Sequence, residues 1–200
     1  AVSAQMLDAS RFWVEDVGVD GFRLDAIKFL ISDGERQENT PETIEWFVDY
    51  REFLRSRNPD NLLVGEVWDS TQQVAPYVDT AVDIAFEFDL AAGIVRGAAF
   101  GITSSIESAL DSILELYPEG QYATFLTNHD QDRLMNQVRG EVGAAKSAAS
   151  VLLTLPGVPF IYYGEEIGMV GVKPDEDIRV PMQWSNTENG GFTTGEPWRA

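Results

Sequence analysis

The single histidine of the chain, His129, lies in FLTNHDQDR at 125–133, where an apolar run ends in an amide, an imidazole and two carboxylates. Other carboxylates stand at the same point of other apolar runs. Asp25 closes VDGFRLD at 19–25, Glu66 follows LLVG at 62–65, and Glu165 and Glu166 follow the last run. Bringing Asp25, Glu66 and Asp130 together is costly, because like charges raise one another's pKa, unless a reaction uses them. Glycoside cleavage is the reaction that fits. A retaining glycosidase needs an ionised carboxylate as nucleophile and, roughly 5 Å away, a carboxylic acid that protonates the leaving oxygen. Further negative charge then stabilises the oxocarbenium-like transition state. Arg23, two residues before Asp25, points to the same face of a strand and could keep that carboxylate ionised and aimed.

Plainer readings stand beside this one. Asp25 and Glu66 also suit helix caps or surface charges, and His129 with Asp130 suits a loop cap or a metal site. A lone histidine in a chain without cysteine is thin for a transition metal. The acidic residues at 175–177 read as solvated loop rather than a calcium site. Trp68 and Trp184 are candidates to stack on sugar faces, although aromatic residues beside strands usually pack in the core. Tyr162 and Tyr163 read as structural.

Elements that could carry these groups follow from the apolar spacing. Val2, Met6, Ala9, Trp13 and Val17 recur at helical intervals before the stop at Gly18. Thr40-Pro41-Glu42 is a helix start, with Ile44, Phe47, Val48 and Leu54 expected to face inward and Asn58-Pro59 as the break. Strands are expected at 19–25, 62–64, 82–86, 122–127 and 158–163. Further helices are expected through Ile106, Leu110, Ile113, Leu114 and Tyr117, and over 141–155. Strand and helix alternate, which predicts an α/β fold of parallel strands joined by helical crossovers. In a barrel of that kind the strand-to-helix loops open on one face, where catalytic groups gather. Residues 171–200 lack periodicity and read as a long loop belonging to the same domain as 1–170.

The chain has 200 residues, 44% of them hydrophobic, and carries a net charge of −19 with no cysteine. The acidity argues against nucleic acid or an anionic membrane as partner and is easier to reconcile with a neutral substrate. No cysteine means no disulfide, thiolate metal site or thiol nucleophile. These features fit a secreted enzyme without fixing a compartment.

GFRLDAIKF at 21–29, VGEVWD at 64–69 and FLTNHDQDR at 125–133 resemble three signature regions of the α-amylase family, glycoside hydrolase family 13, in the family's order. RVPMQW at 179–184, GGFT at 190–193 and PW at 197–198 resemble the loop after its eighth strand. The resemblance implies a partial (β/α)8 barrel, with strands corresponding to the fourth through eighth. The missing barrel half would come from the rest of a parent chain or from another chain. It implies Asp25 as nucleophile, Glu66 as general acid/base and Asp130 as the third carboxylate. Arg23 would stand beside the nucleophile, His129 would bind the sugar, Lys28 would line the leaving-group side, and Arg179 would contribute from the final loop. The implied substrate is an α-glucan or maltooligosaccharide. No cofactor is implied for the chemistry, and a structural calcium in the full-length protein is compatible with it. Ala26 after the nucleophile, where valine tends to accompany α-1,6 specificity, and Lys28 lean toward α-1,4 cleavage. The RVPMQW tail instead resembles α-glucosidases and trehalose-forming relatives. A non-catalytic sugar-binding relative is the third alternative, although such relatives lose carboxylates that this chain keeps.

Overall fold

The computed structural model describes residues 2–199. Its sheet has five strands in sequence order: β1 (Gly21–Leu24), β2 (Leu62–Gly65), β3 (Ile84–Phe86), β4 (Tyr122–Thr124) and β5 (Val158–Pro159). The β1–β2, β2–β3 and β3–β4 pairings are parallel, with Arg23 opposite Val64, Val64 opposite Ile84 and Ala85 opposite Tyr122. Four of the five strands are shorter than the apolar runs suggested, and β2 runs one residue beyond the expected 62–64. Beyond each strand end the chain turns early into loop, which is where the polar residues sit. At Gly21 a β-carbon would run into the backbone of Leu62, so the first pairing needs glycine there.

Contacts divide the chain into two compact units. One comprises the residues up to Phe88 together with Leu110–Ala123; the other comprises Asp89–Ala109 and the residues from Thr124 onward. In the first unit, α1 (Val2–Arg11) runs on as a π-helical segment, Phe12–Val17, that stops at Gly18 in the left-handed conformation. The helix and its stop fall where the apolar spacing places them. Val2, Met6, Trp13 and Val17 are all exposed, and the helix instead buries Ser10 and Val14. On that side the Ser10 hydroxyl meets the Tyr50 hydroxyl of α2 (Pro41–Arg55) at 2.8 Å. Helix α2 behaves as its sequence suggests, with Thr40 as N-cap, Pro41 at the first turn, and Thr43, Phe47, Tyr50 and Leu54 buried on one face. Ile44 and Val48 are only half-buried. Below the sheet, Asp83 gathers Arg51, Arg55 and the Leu63 amide at 2.6–2.7 Å, pinning α2 to the N-terminal ends of β2 and β3.

Two short helical turns, α3 (Thr71–Val74) and the 3₁₀ turn Ala75–Tyr77, follow β2 and bury Val74 and Tyr77. Helix α4 (Phe88–Phe100) has no counterpart among the expected elements. Its sequence, FDLAAGIVRGAAF, carries only Asp89 and Arg96 as charges and is interrupted by Gly93 and Gly97, which are poor helix formers and read as breaks. The glycines are explained by close approach: a β-carbon at Gly93 would crowd the backbone at Ser105 and Ile106, at the start of α5 (Ser104–Leu116). In the second unit, α6 (Leu134–Gln137) is a single turn and α7 (Val142–Thr154) buries Ala148 and Leu152. Residues 171–199 contain only one turn of helix, α8 (Asp175–Ile178), and a 3₁₀ turn at Glu188–Gly191. No helix among the described residues is long and apolar enough to cross a membrane.

Candidate active site

In the first unit, pairing continues past the strand ends and aligns the two loops that carry carboxylates. The Glu66 amide donates to the Leu24 carbonyl at 2.9 Å, and the Ile27 amide donates to the Glu66 carbonyl at 3.1 Å. Arg23 and Asp25 share a face by strand alternation. The Arg23 guanidinium forks between them: Nη1 donates to Asp25 Oδ1 and Nη2 to Glu66 Oε2. The two carboxylates differ in exposure, with the Asp25 side chain 75% exposed and that of Glu66 only 8%. Between them Ala26 adopts a left-handed conformation, φ 45° and ψ 42°, uncommon for a residue with a β-carbon. That twist turns the Ala26 amide onto Glu66 Oε2 at 3.2 Å. Glu66 is thus held by a guanidinium and a backbone amide at a strand end.

Lys28, on the 3₁₀ turn Ile27–Phe29, is placed differently. Its ammonium pairs with Glu38 at 2.8 Å and Asp69 at 3.2 Å. Desolvation lowers the lysine pKa, but the bonds to Glu38 and Asp69 outweigh it and the net shift is upward. Desolvation likewise favours the neutral acid at Asp69, and the Ser70 amide, the Asn39 side chain and Lys28 together reverse it, so Asp69 stays ionised. The chain of contacts continues inward. Asn39 donates to Asp69 at 2.9 Å and accepts from the buried Tyr77 hydroxyl at 3.0 Å, whose pKa burial pushes up to about 12. An open cleft of about 600 Å³ beside these groups is lined by Glu35, Arg36, Glu38, Asn39, Asp69 and Gln73.

In the second unit, β4 ends at Thr124 and the chain stays buried through Thr127 before His129 and Asp130 emerge. The Asp130 amide donates to the Asn128 side chain at 2.9 Å, a tight local turn. Arg179 holds this loop from outside it. Its Nε donates to the His129 carbonyl at 2.8 Å and its Nη2 to Asp130 Oδ1 at 2.7 Å, while Asp175 anchors the same nitrogen at 2.7 Å. The His129 ring approaches Asp130 at 3.3 Å. Thr127, at the start of the turn, donates its hydroxyl to Glu165. Burial pushes the Glu165 carboxyl up to about 7, against the opposing hydrogen bonds from Thr127.

Arg23, Asp25 and Glu66 therefore come together in one unit, with Lys28 nearby on its own partners; His129, Asp130 and Arg179 come together in the other. Trp68 is half-exposed and stacks on Phe88 at 4.8 Å, and Trp184 is exposed. Sequence reasoning passed over Glu38, Asn39, Asp69 and Tyr77, it assigned nothing to Arg133 or Thr127, and it read Asp175, which pairs with Arg179, as solvated loop. Asp69 and Arg133 were in plain view as the last residues of VGEVWD and FLTNHDQDR. Among the described residues no group of three or more histidine, aspartate or glutamate side chains comes together to hold a metal ion.

A parallel α/β sheet whose functional side chains gather at the C-terminal ends of its strands is the arrangement of the α/β barrel class. The comparisons make it specific: the alpha-amylase catalytic-domain family matches residues 1–200. The chain belongs to that family. It is 39% identical over 197 residues to Alpha-amylase 3 of Dictyoglomus thermophilum, covering 96% of this chain and 38% of that protein. It is 30% identical over 240 residues to the trehalose synthase/amylase TreS of Mycolicibacterium smegmatis, covering 100% of this chain and 40% of that protein. The crystal structure of the alpha-amylase from H. orenii superposes with a TM-score of 0.84 at 38% identity, over 98% of this chain and 40% of that one. The chain thus spans about two fifths of these relatives, and its five parallel strands form part of the family's barrel.

Proposed function

We propose that this chain carries the cleavage site of a retaining α-glucan hydrolase acting on α-1,4 bonds. Asp25 attacks the anomeric carbon while Glu66 gives its proton to the leaving oxygen. The glycosyl ester on Asp25 is then hydrolysed by a water that Glu66 deprotonates. Asp130 and His129 bind sugar hydroxyls, Arg179 holds Asp130, and Lys28 lines the leaving-group side. The observation that carries this reading is the Arg23 fork on Asp25 and Glu66. One guanidinium holding both oxygens keeps the carboxylates close, which suits the roughly 5 Å spacing of retention and not the wider gap that inversion needs for water. It also argues against a non-catalytic sugar-binding relative, since a binding protein has no use for such a costly pair.

A second reading, an α-glucosidase or a transglycosylating trehalose-forming enzyme, is favoured by two observations. They are the RVPMQW segment at 179–184 and the similarity to a trehalose synthase/amylase over the whole chain. The test uses the intact protein, in which the rest of the barrel is supplied by the parent chain or by a partner chain. Glu66→Gln should lower kcat by about 10²- to 10⁴-fold, the usual weight of a general acid; unchanged turnover would refute the assignment. Faster cleavage of long maltooligosaccharides than of maltose supports the amylase reading, and the reverse supports the second.

A further inference from the structure

The most deeply buried charge of the second unit has no part in the chemistry just described. Arg133 is fully buried, at 0% exposure, three residues after Asp130. Its guanidinium donates to two main-chain carbonyls, not to a carboxylate. Nε reaches the Ile178 carbonyl at 2.8 Å and Nη1 the Tyr163 carbonyl. The plane lies against two rings, 4.2 Å from the centre of Tyr162 and 4.5 Å from that of Tyr163. Its own amide donates to the Gly171 carbonyl at 2.9 Å. The surroundings are shaped to fit: at Gly164, φ 85°, a β-carbon would run into Met169 and Arg133. Nη2 has no hydrogen-bond partner. A buried cation with one nitrogen unpaired is costly to keep, because its desolvation is only partly offset by the hydrogen bonds it makes. Geometry is the remaining use. The Ile178 carbonyl belongs to the residue immediately before Arg179, and Arg179 is the side chain that grips Asp130 and the His129 carbonyl.

We infer that Arg133 is a positioning residue for the Asp130–Arg179 pair: it ties the backbone at 163, 171 and 178 to the segment carrying Asp130 and thereby fixes where Arg179 reaches. The inference rests on the proposed role of Asp130. A lysine could not replace it, since one ammonium lacks the planar fork and the flat face that the two carbonyls and two rings take up.

A double-mutant cycle in the intact protein tests this, with a maltooligosaccharide as substrate. Arg133→Met is expected to lower kcat about 10²-fold with less than about threefold change in KM, and to melt within a few degrees of the parent. Arg133→Lys should fall between. If Arg133 acts through Arg179, the double variant Arg133→Met/Arg179→Ala will be no slower than Arg179→Ala alone, within about twofold. Losses that multiply, or normal turnover in Arg133→Met, overturn the inference. Should Arg133→Met not fold, the cycle with Arg133→Lys decides by the same criterion. Asp130→Asn separates the two levels. Normal turnover in that variant sinks the proposed function itself, whereas a dead Asp130→Asn beside a fully active Arg133→Met sinks only the positioning role.

Discussion

Arg23 and Arg133 serve the two units in opposite surroundings. Arg23 is 36% exposed at a strand end and spends its charge on two carboxylates, each itself a candidate catalytic group. Arg133 is sealed from water and spends its charge on carbonyls and ring faces, acting on Asp130 only through Arg179. The difference follows from what supports each carboxylate. Asp25 and Glu66 inherit their placement from β1 and β2, whose register continues past the strand ends. Only charge compensation remains to be supplied there, and an exposed fork supplies it. Asp130 sits beyond β4, on a turn with no strand pairing of its own, and must be placed by loops around it. A loop is positioned precisely only where something buried over-determines it, and a guanidinium with five fixed donors does that better than an apolar side chain.

The contrast can be broken most directly at Arg23. Replacing it by Met leaves two carboxylates facing each other without their shared cation, and kcat in the intact protein should drop at least about 10²-fold, the usual effect of removing one pre-placed donor. Arg23→Lys should recover little, because an ammonium cannot serve both oxygens as a fork does. A drop smaller than tenfold in Arg23→Met would mean that the strands alone aim the pair.

A smaller effect probes the buried side. Glu165 is pushed from 4.5 up to about 7 by desolvation, against the Thr127 hydroxyl and the Arg133 charge. Between those values the unfolded chain loses its proton while the folded one keeps it. The stability this group contributes is therefore fully present below about pH 4.5 and lost as pH rises through about 7. The rise corresponds to about 3 kcal/mol, at about 1.36 kcal/mol per pH unit. Glu165→Gln keeps an oxygen for Thr127 and cannot ionise, so denaturant melts at pH 4.5 and 7.5 should show it gaining on the parent by up to that amount at the higher pH. Equal pH dependence of the two proteins would show that Glu165 titrates as an exposed acid does.

The same asymmetry explains what the sequence disclosed. Strand positions, the crossovers, α2 and its cap were all legible, because apolar period and capping residues are local signals. Asp25 and Glu66 were legible as carboxylates at the ends of apolar runs. Helix α4 was not, since Gly93 and Gly97 within it read as breaks. The contact of α1 with α2 was not legible either, because it runs through a serine–tyrosine hydroxyl pair 40 residues apart in sequence. Arg133 and the Lys28–Asp69–Asn39–Tyr77 chain share that difficulty. Each is defined by partners 30 or more residues away, and an arginine's letter does not reveal whether its charge is buried.

The mildest test concerns a loop in the first unit that is held by neutral bonds. Thr40 is fully buried; its hydroxyl donates to the Ile31 carbonyl at 2.7 Å and accepts from the Thr43 amide at 3.2 Å. It closes the loop that carries Glu38 and Asn39 and caps α2 at the same time. Thr40→Ala removes a cap and takes one donor from the half-buried Ile31 carbonyl, but Thr43 still donates to Ile31 at 3.1 Å, so the loop keeps one tie. The expected cost is about 1–2 kcal/mol of stability by denaturant melting, with kcat changed less than about twofold because Lys28 retains both its carboxylate partners. That is the mirror image of Arg133→Met, which should lose turnover far out of proportion to stability. If Thr40→Ala instead lost turnover out of proportion to stability, the first unit's site would depend on its loops as much as the second does, and strand register would not be what distinguishes them.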